Sequence, residues 1–443
     1  MLDCRHQVRF HQLVSEHSHA VNAAVSGLSA LPGTATPFAA TQAMSRFLNN
    51  PDIPFPALLE PAQDAVRNGL ATSVSPVTLV VHDWSMFAFH THTGKRDRYQ
   101  RSHDTDLGYE LGTALLVDAA DGRPLGPMEL RVRTADGMLS TRVGDTAMPP
   151  GHLDELLEAM DESRRWNLGK TLIHVIDREA DSVGHYRTWQ SRGHQFLVRV
   201  DTDRLVLWGN RECKLKAVVA GLSLEFQDVL NAEGEPEVVT IQAGTGRVRV
   251  AQTEVVLHRA ARKYTGEQTA SGAKQQVEVP GPPLPLRLVV TRVVNEVGKV
   301  IAAWCLLTNG DTRLANAATV GRWSAWRWRI ETFPKLLKSA GRNADQWQQE
   351  SGAAFLRRLC VVVMACLTVW HLPRDESEEA AQLRKRLVRL SGRQLKRGVE
   401  STAPSLLAGL EKLLAIDDLL RTEDLQEILA LARKVLPTLF RSG

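Results

Sequence analysis

The sequence predicts an α/β protein: a layered sheet, interrupted by a β-rich insertion and flanked by helical segments at both ends. Three observations lead there. The apolar strand Thr171–Ile176 runs into Asp177 and lies between a helical stretch at 151–167 and a second helix that Asp177–Asp181 opens. Helix, buried strand and helix in succession are the unit of a layered α/β sheet. Earlier, Thr78–Asp83, Tyr109–Asp118 and Met128–Thr134 alternate with the turn signals Asp121-Gly122 and Asp136-Gly137, which predicts an antiparallel start to the same sheet. Residues from about 203 to 300 then turn strand-rich and loop-rich, with Pro280-Gly281-Pro282-Pro283 as a linker, and read as an all-β insertion.

Taken in order, residues 1–70 are mostly helical, with breaks at 31–34 and at 49–52, and form a small leading domain. The α/β domain follows over 71–372. Phe196–Val200 continues its sheet, and Val238–Ala243, Arg247–His258 and Leu286–Val294 are the strands of the insertion. Ile301–Thr308 returns to the sheet, and helices cover Ala315–Leu372. Residues 373–443 form a helical C-terminal domain, with Leu383, Leu387 and Leu390 at helical spacing and a further helical region over Ser405–Leu439.

With 443 residues, a multi-domain enzyme is within reach of size alone. A net charge of +4 leans toward an anionic partner without requiring one. Five scattered cysteines lack the spacing of a zinc site or a disulfide framework, which fits a reducing compartment. The apolar run Leu359–Leu372 is short of a membrane span and follows Arg357 and Arg358, so a buried helix is expected and no membrane partner. Asp3, Arg5 and His6 precede any apolar stretch, so no signal peptide is expected and the protein is placed in the cytoplasm.

Three carboxylates carry the candidate chemistry: Asp83 after a strand, Asp177 at the end of another, and Glu331 in a basic, tryptophan-rich segment. They are 94 (177−83) and 154 (331−177) residues apart, so only a fold could unite them. Each alone has a plain structural reading: a turn residue, an N-cap, a partner for Lys335 or Lys338. His82, His90, His92 and His103 match no standard zinc spacing. The segment Gly94-Lys95-Arg96-Asp97-Arg98 reads as a mobile basic loop able to touch DNA. The run Arg384, Lys385, Arg386, Arg389, Arg393, Lys396 and Arg397 fits either a phosphate-gripping surface or a solvated helix face.

The segment Asp177-Arg178-Glu179-Ala180-Asp181, the tract Arg327-Trp328-Arg329-Ile330-Glu331 and Lys338 seven residues later resemble the signatures of the insertion-sequence-four, or Tn-five-like, group of DDE transposases. Met44–Pro51, Gly108–Gly112 and Trp304–Thr308 are similar to further motifs of that family, in the same order along the chain. The resemblance departs from the pattern at Ser324, where tyrosine is expected, at Pro334, and at Asp201, which replaces a basic neighbour of Arg199.

The resemblance implies a ribonuclease-H-like catalytic core interrupted by the β insertion. It further implies a metal-dependent nuclease and strand transferase, with Asp83, Asp177 and Glu331 holding two Mg²⁺ or Mn²⁺ ions. Arg199, Trp304, Arg327, Lys335 and Lys338 are the implied DNA contacts, with Arg327, Glu331, Lys335 and Lys338 on one helix face; for Trp304 a core position stands beside the stacking role. The implied partners are double-stranded DNA, as inverted-repeat ends and as target, and a second copy of the chain, with excision through a hairpin. A catalytically inactive DNA-binding derivative is the alternative.

Overall fold

The computed structural model describes residues 3–19, 37–101, 103–142, 153–268, 274–338, 344–396, 398–422 and 424–435. The expected break at 31–34, Arg397 and residues 436–439 lie outside them. The chain opens with α1 (Cys4–His19), α2 (Pro37–Leu48) and α3 (Phe55–Ala71). Next come β1 (Val77–Ala88), the short β2 (Tyr99–Gln100), β3 (Leu107–Asp118), β4 (Pro124–Thr134) and β5 (Gly137–Ser140). Then α4 (Glu155–Arg165), β6 (Thr171–Ile176), α5 (Val183–Ser191) and β7 (Gln195–Arg199) alternate as the apolar pattern predicts.

The insertion holds β8 (Leu205–Trp208), β9 (Arg211–Lys214), α6 (Leu215–Gly221), β10 (Gln227–Asp228), β11 (Val238–Ile241) and β12 (Gly244–Leu257). It ends with β13 (Ala261–Gln268), β14 (Lys274–Val279) and β15 (Leu284–Val294). After β16 (Val300–Thr308) the chain is helical: α7 (Ala317–Trp326), α8 (Thr332–Lys338), α9 (Gly352–His371), α10 (Glu378–Ser391), α11 (Ala403–Thr422) and α12 (Leu425–Val435).

The result is a mixed α/β architecture around one large sheet, whose path runs β5-β4-β3-β1-β6-β7-β16-β15-β12-β8-β9. The β1–β3 and β3–β4 pairs are antiparallel, as the short turns predict, whereas β1–β6 and β6–β7 are parallel. Parallel pairing needs a crossover, and α4 and α5 supply the two helices. The insertion corrects the expectation of an all-β subdomain: it contains α6, and its longest strands extend the main sheet through the antiparallel pairs β7–β16, β16–β15 and β15–β12. Exposed backbone at the β7 edge is paired in this way.

Both faces of the sheet are covered, which is why β1 and β3 read as nearly continuous apolar runs. On one face α4 and α5 bring Leu156, Met160, Tyr186 and Trp189 against Ile176, Phe196 and Val198. On the other, a core joins Phe10, Leu13 and Phe47 of the leading helices to α9, Leu387 and Leu406. Buried Arg357 ties the two ends of the chain together by donating to the carbonyls of Leu48 (3.1 Å) and Ile53 (3.2 Å), which α2 and the following turn leave without helical partners. Among the described residues one helical segment, Gly352–Arg374, is long and apolar enough to cross a membrane. It is 83% buried within the fold, as a core helix is.

Local chemistry sets the helix ends. Ser351, Asn316 and Ser377 accept from backbone N–H groups three residues on and so cap α9, α7 and α10. Gly392 closes α10 at φ +67°, a conformation a side chain would strain.

Candidate active site

Two of the three carboxylates are brought together by strand register. Val81 pairs with Val175 across the parallel β1–β6 ladder. Two residues further on, along both chains, stand Asp83 and Asp177. Asp83 lies inside β1, not after it, and Asp177 stands one residue past the end of β6 in extended backbone, so the register delivers both to the same end of the parallel pair. Asp177 also opens the 3-10 turn Arg178–Ala180 and accepts from the Arg178 N–H at 2.6 Å, so its N-cap role and its site position coexist.

Arg327 closes the group. One guanidinium nitrogen lies 3.2 Å from Asp177 Oδ2 and the other 3.9 Å from Asp83 Oδ1, and its side chain is only 7% exposed. Burial pushes the Asp83 carboxyl up to about 6 against the pull of Arg327, and Asp177 and Glu331 push it the same way as neighbouring negative charges. Glu331 is therefore within electrostatic reach of Asp83. Its own carboxylate meets Lys335 Nζ at 3.2 Å. Among the described residues no set of three or more His, Cys, Asp or Glu side chains already converges as a cation shell. The donor chemistry nevertheless suits a hard cation: three carboxylates share one electrostatic neighbourhood, and a buried guanidinium supplies the positive charge between two of them.

The expected helix face is corrected. Residues Arg327–Glu331 form a 3-10 turn, and α8 begins only at Thr332. Pro334 explains the change, because it has no N–H for the Ile330 carbonyl and its ring would clash there in a continuous α-helix. Tightened in this way, the segment turns Arg327 inward, while Lys335 stays exposed. Lys338 donates to the Met86 carbonyl at 2.7 Å and lies over the Phe87 ring, and burial pushes its ammonium below the usual range.

Arg199 and Trp304 are both half-buried and line a cavity of about 220 Å³ with Ser324, Arg327 and Trp328, so the structure brings them to Arg327, while Asp83, Asp177 and Glu331 do not line this cavity. The cavity is walled by apolar side chains of β11, β12 and β15 such as Val239, Val250 and Val293. Asp201, the departure beside Arg199, pairs with Arg178.

The basic loop reading of 94–98 is corrected for Lys95 and Arg98, while Arg96 is exposed. Lys95 is buried over the Phe89 ring and donates to the Gln349 carbonyl, and Arg98 donates to the carbonyls of Lys95 and Phe89, both at 2.8 Å. These cations satisfy carbonyl groups inside the fold and are not free for phosphate. His82 donates to or accepts from His174 at 2.9 Å in the core, far from its sequence neighbours His90 and His103, which are exposed. In the basic run, Arg384 bonds the Leu372 and Asp375 carbonyls, whereas Lys385, Arg386, Arg389 and Arg393 are exposed.

Sequence reading missed a buried ion network behind β1. Glu110, Glu129 and Glu155 meet Arg131 and Arg133, and Trp84 Nε1 donates to Glu155 at 3.4 Å, one residue past Asp83. The signal was present: Glu129, Arg131 and Arg133 alternate with apolar residues along one strand, putting three charges on one buried face. Trp328, half exposed and 4.8 Å from the Arg327 guanidinium, was also passed over.

A scan against protein-family models and a search of curated proteins each return no match to this chain.

Proposed function

We propose that the chain is a DDE transposase similar to the insertion-sequence-four group, cutting double-stranded DNA at the inverted-repeat ends of its element and joining the freed ends to target DNA. One observation carries this reading. Asp83, within β1, and Asp177, one residue past the end of the parallel neighbour β6, share the Arg327 guanidinium, and Glu331 reaches the same electrostatic neighbourhood from the far side of the β insertion. The antiparallel β4-β3-β1 half followed by parallel β6 and β7 is in keeping with a ribonuclease-H-like core, and residues 203–300 interrupt it where the family carries an insertion.

In this reading Asp83, Asp177 and Glu331 hold Mg²⁺ or Mn²⁺, which when bound activates the attacking oxygen and stabilises the leaving one. The chain's own groups do the positioning. Arg199 and Arg327 face a scissile phosphate with delocalised, bidentate cations. Exposed Lys335 adds a point charge beside Glu331, while Lys338 fixes the end of α8 to β1. Trp304 offers an aromatic face for stacking at the cavity mouth. The leading helices and the C-terminal helices recognise the ends and pair two copies of the chain, in the cytoplasm.

The test is incubation of the full-length protein with labelled DNA carrying the sequences that flank its gene, with Mg²⁺ or with chelator. Metal-dependent double-strand cleavage at the ends, a transient hairpin, and loss of both in Glu331→Gln are expected. End-specific binding without cleavage under Mg²⁺ or Mn²⁺ would replace this reading with that of an inactive DNA-binding derivative.

A further inference from the structure

Resting on that reading of the carboxylates, we infer that Arg327 is an internal counter-cation for Asp83 and Asp177, and that a DNA phosphate draws it away and so opens the aspartates to the metal ion. Three observations combine. The guanidinium spans both aspartates, at 3.2 Å and 3.9 Å, and is nearly sealed from solvent. The same side chain lines the 220 Å³ cavity, so a space lies beside it into which it can turn. Half-exposed Trp328, 4.8 Å away, and Ser324 border that space.

The physics sets the direction. Two carboxylates side by side with no cation between them repel each other in a partly buried place, and a guanidinium removes that cost. A hard cation competes for the same oxygens, so it must displace the guanidinium, and an arginine deprived of both partners would be a buried unpaired charge. A phosphate is the natural new partner, because it accepts the same fork of N–H donors. Metal loading and DNA binding are then positively coupled through one side chain, and by linkage each favours the other equally.

The experiment is a titration of Mn²⁺ into the full-length protein, free ion being read by electron paramagnetic resonance, without DNA and with the flanking-end duplex. It uses the wild type, Arg327→Gln, Arg327→Lys and the double variant Asp83→Asn/Asp177→Asn, each checked for folding by circular dichroism. Arg327→Gln should bind Mn²⁺ without DNA more tightly than wild type, within the roughly 5- to 150-fold span of a coupling of this kind. It should also gain less from DNA than wild type does. Arg327→Lys, whose single ammonium cannot span both carboxylates, should fall between. Equal or weaker DNA-free Mn²⁺ binding by Arg327→Gln, alongside wild-type binding that the double variant abolishes, overturns the counter-cation role and leaves the metal site standing. Absence of Mn²⁺ binding in every form, DNA present or not, overturns both.

Discussion

Replacing Glu155 by alanine tests whether the charges behind β1 hold the sheet together. Its side chain is 4% exposed, and it accepts from Arg133, lies 3.7 Å from Arg131 Nε and receives the Trp84 N–H. Removing one partner from a buried ion pair costs about 3–5 kcal/mol, because the remaining charge stays buried without compensation. Here the arginines keep secondary partners: Glu110 at 3.6 Å for Arg133 and Glu129 at 3.8 Å for Arg131. The loss should therefore sit at the lower end, about 3 kcal/mol, or roughly a 150-fold fall in the folded-to-unfolded ratio. Urea unfolding followed by tryptophan fluorescence reads it as a lowered midpoint. The double variant Glu155→Leu/Arg133→Leu removes the orphaned charge and should recover at least half of the loss, since Glu110 retains Arg101 at 3.5 Å. An alanine variant within about 0.5 kcal/mol of wild type, the scatter of ordinary surface changes, would refute the reasoning.

Three further outcomes follow from the same structure. Burial lowers the His174 imidazole from its ordinary 6.5 to about 3, so the unfolded chain takes up a proton that the folded one refuses. Stability should then fall as pH drops from about 6.5 toward 3, by up to about 1.4 kcal/mol per pH unit for this group, and His174→Leu should flatten the slope in unfolding midpoints measured across that window. A Cβ on Gly409 would lie 2.0 Å from the Leu387 carbonyl oxygen, so Gly409→Ala should force α10 and α11 apart and cost about 1–3 kcal/mol, visible as a lower melting temperature. Asp83→Asn and Asp177→Asn should each abolish metal-dependent cleavage in the end-cutting assay, and Asp177→Asn, which takes the nearer carboxylate (3.2 Å against 3.9 Å) from buried Arg327, should lower the melting temperature more than Asp83→Asn does; wild-type cleavage by either variant would refute the ligand assignment.

Much of the architecture was legible in advance because local patterns carry it. The alternation from turn-linked strands to helix-flanked strands over 78–200 marked where antiparallel pairing gives way to parallel pairing. The candidate carboxylates were singled out for another reason: each alone has a plain structural reading, and it is the resemblance of the segments around Asp177 and Glu331 to one family's signatures that names them.

What remained hidden depended on partners far away in sequence. Basic residues look alike in a one-dimensional reading, yet Lys95, Arg357 and Arg98 satisfy carbonyl oxygens inside the fold, whereas Lys335 is exposed and pairs with Glu331. Pro334 could be recognised as a local disturbance, but only packing showed that the tightened turn points Arg327 at the aspartates. By itself, then, the sequence determined the strands and helices over 78–200 and their alternation, since these follow from side-chain periodicity within a few residues, while α6 and the 3-10 turn at Arg327–Glu331 escaped it. Tertiary structure alone decided the register of Val81 with Val175, the joining of the insertion to the main sheet and the pairing of Arg327, because each depends on which distant group is present to satisfy a buried charge or an open strand edge.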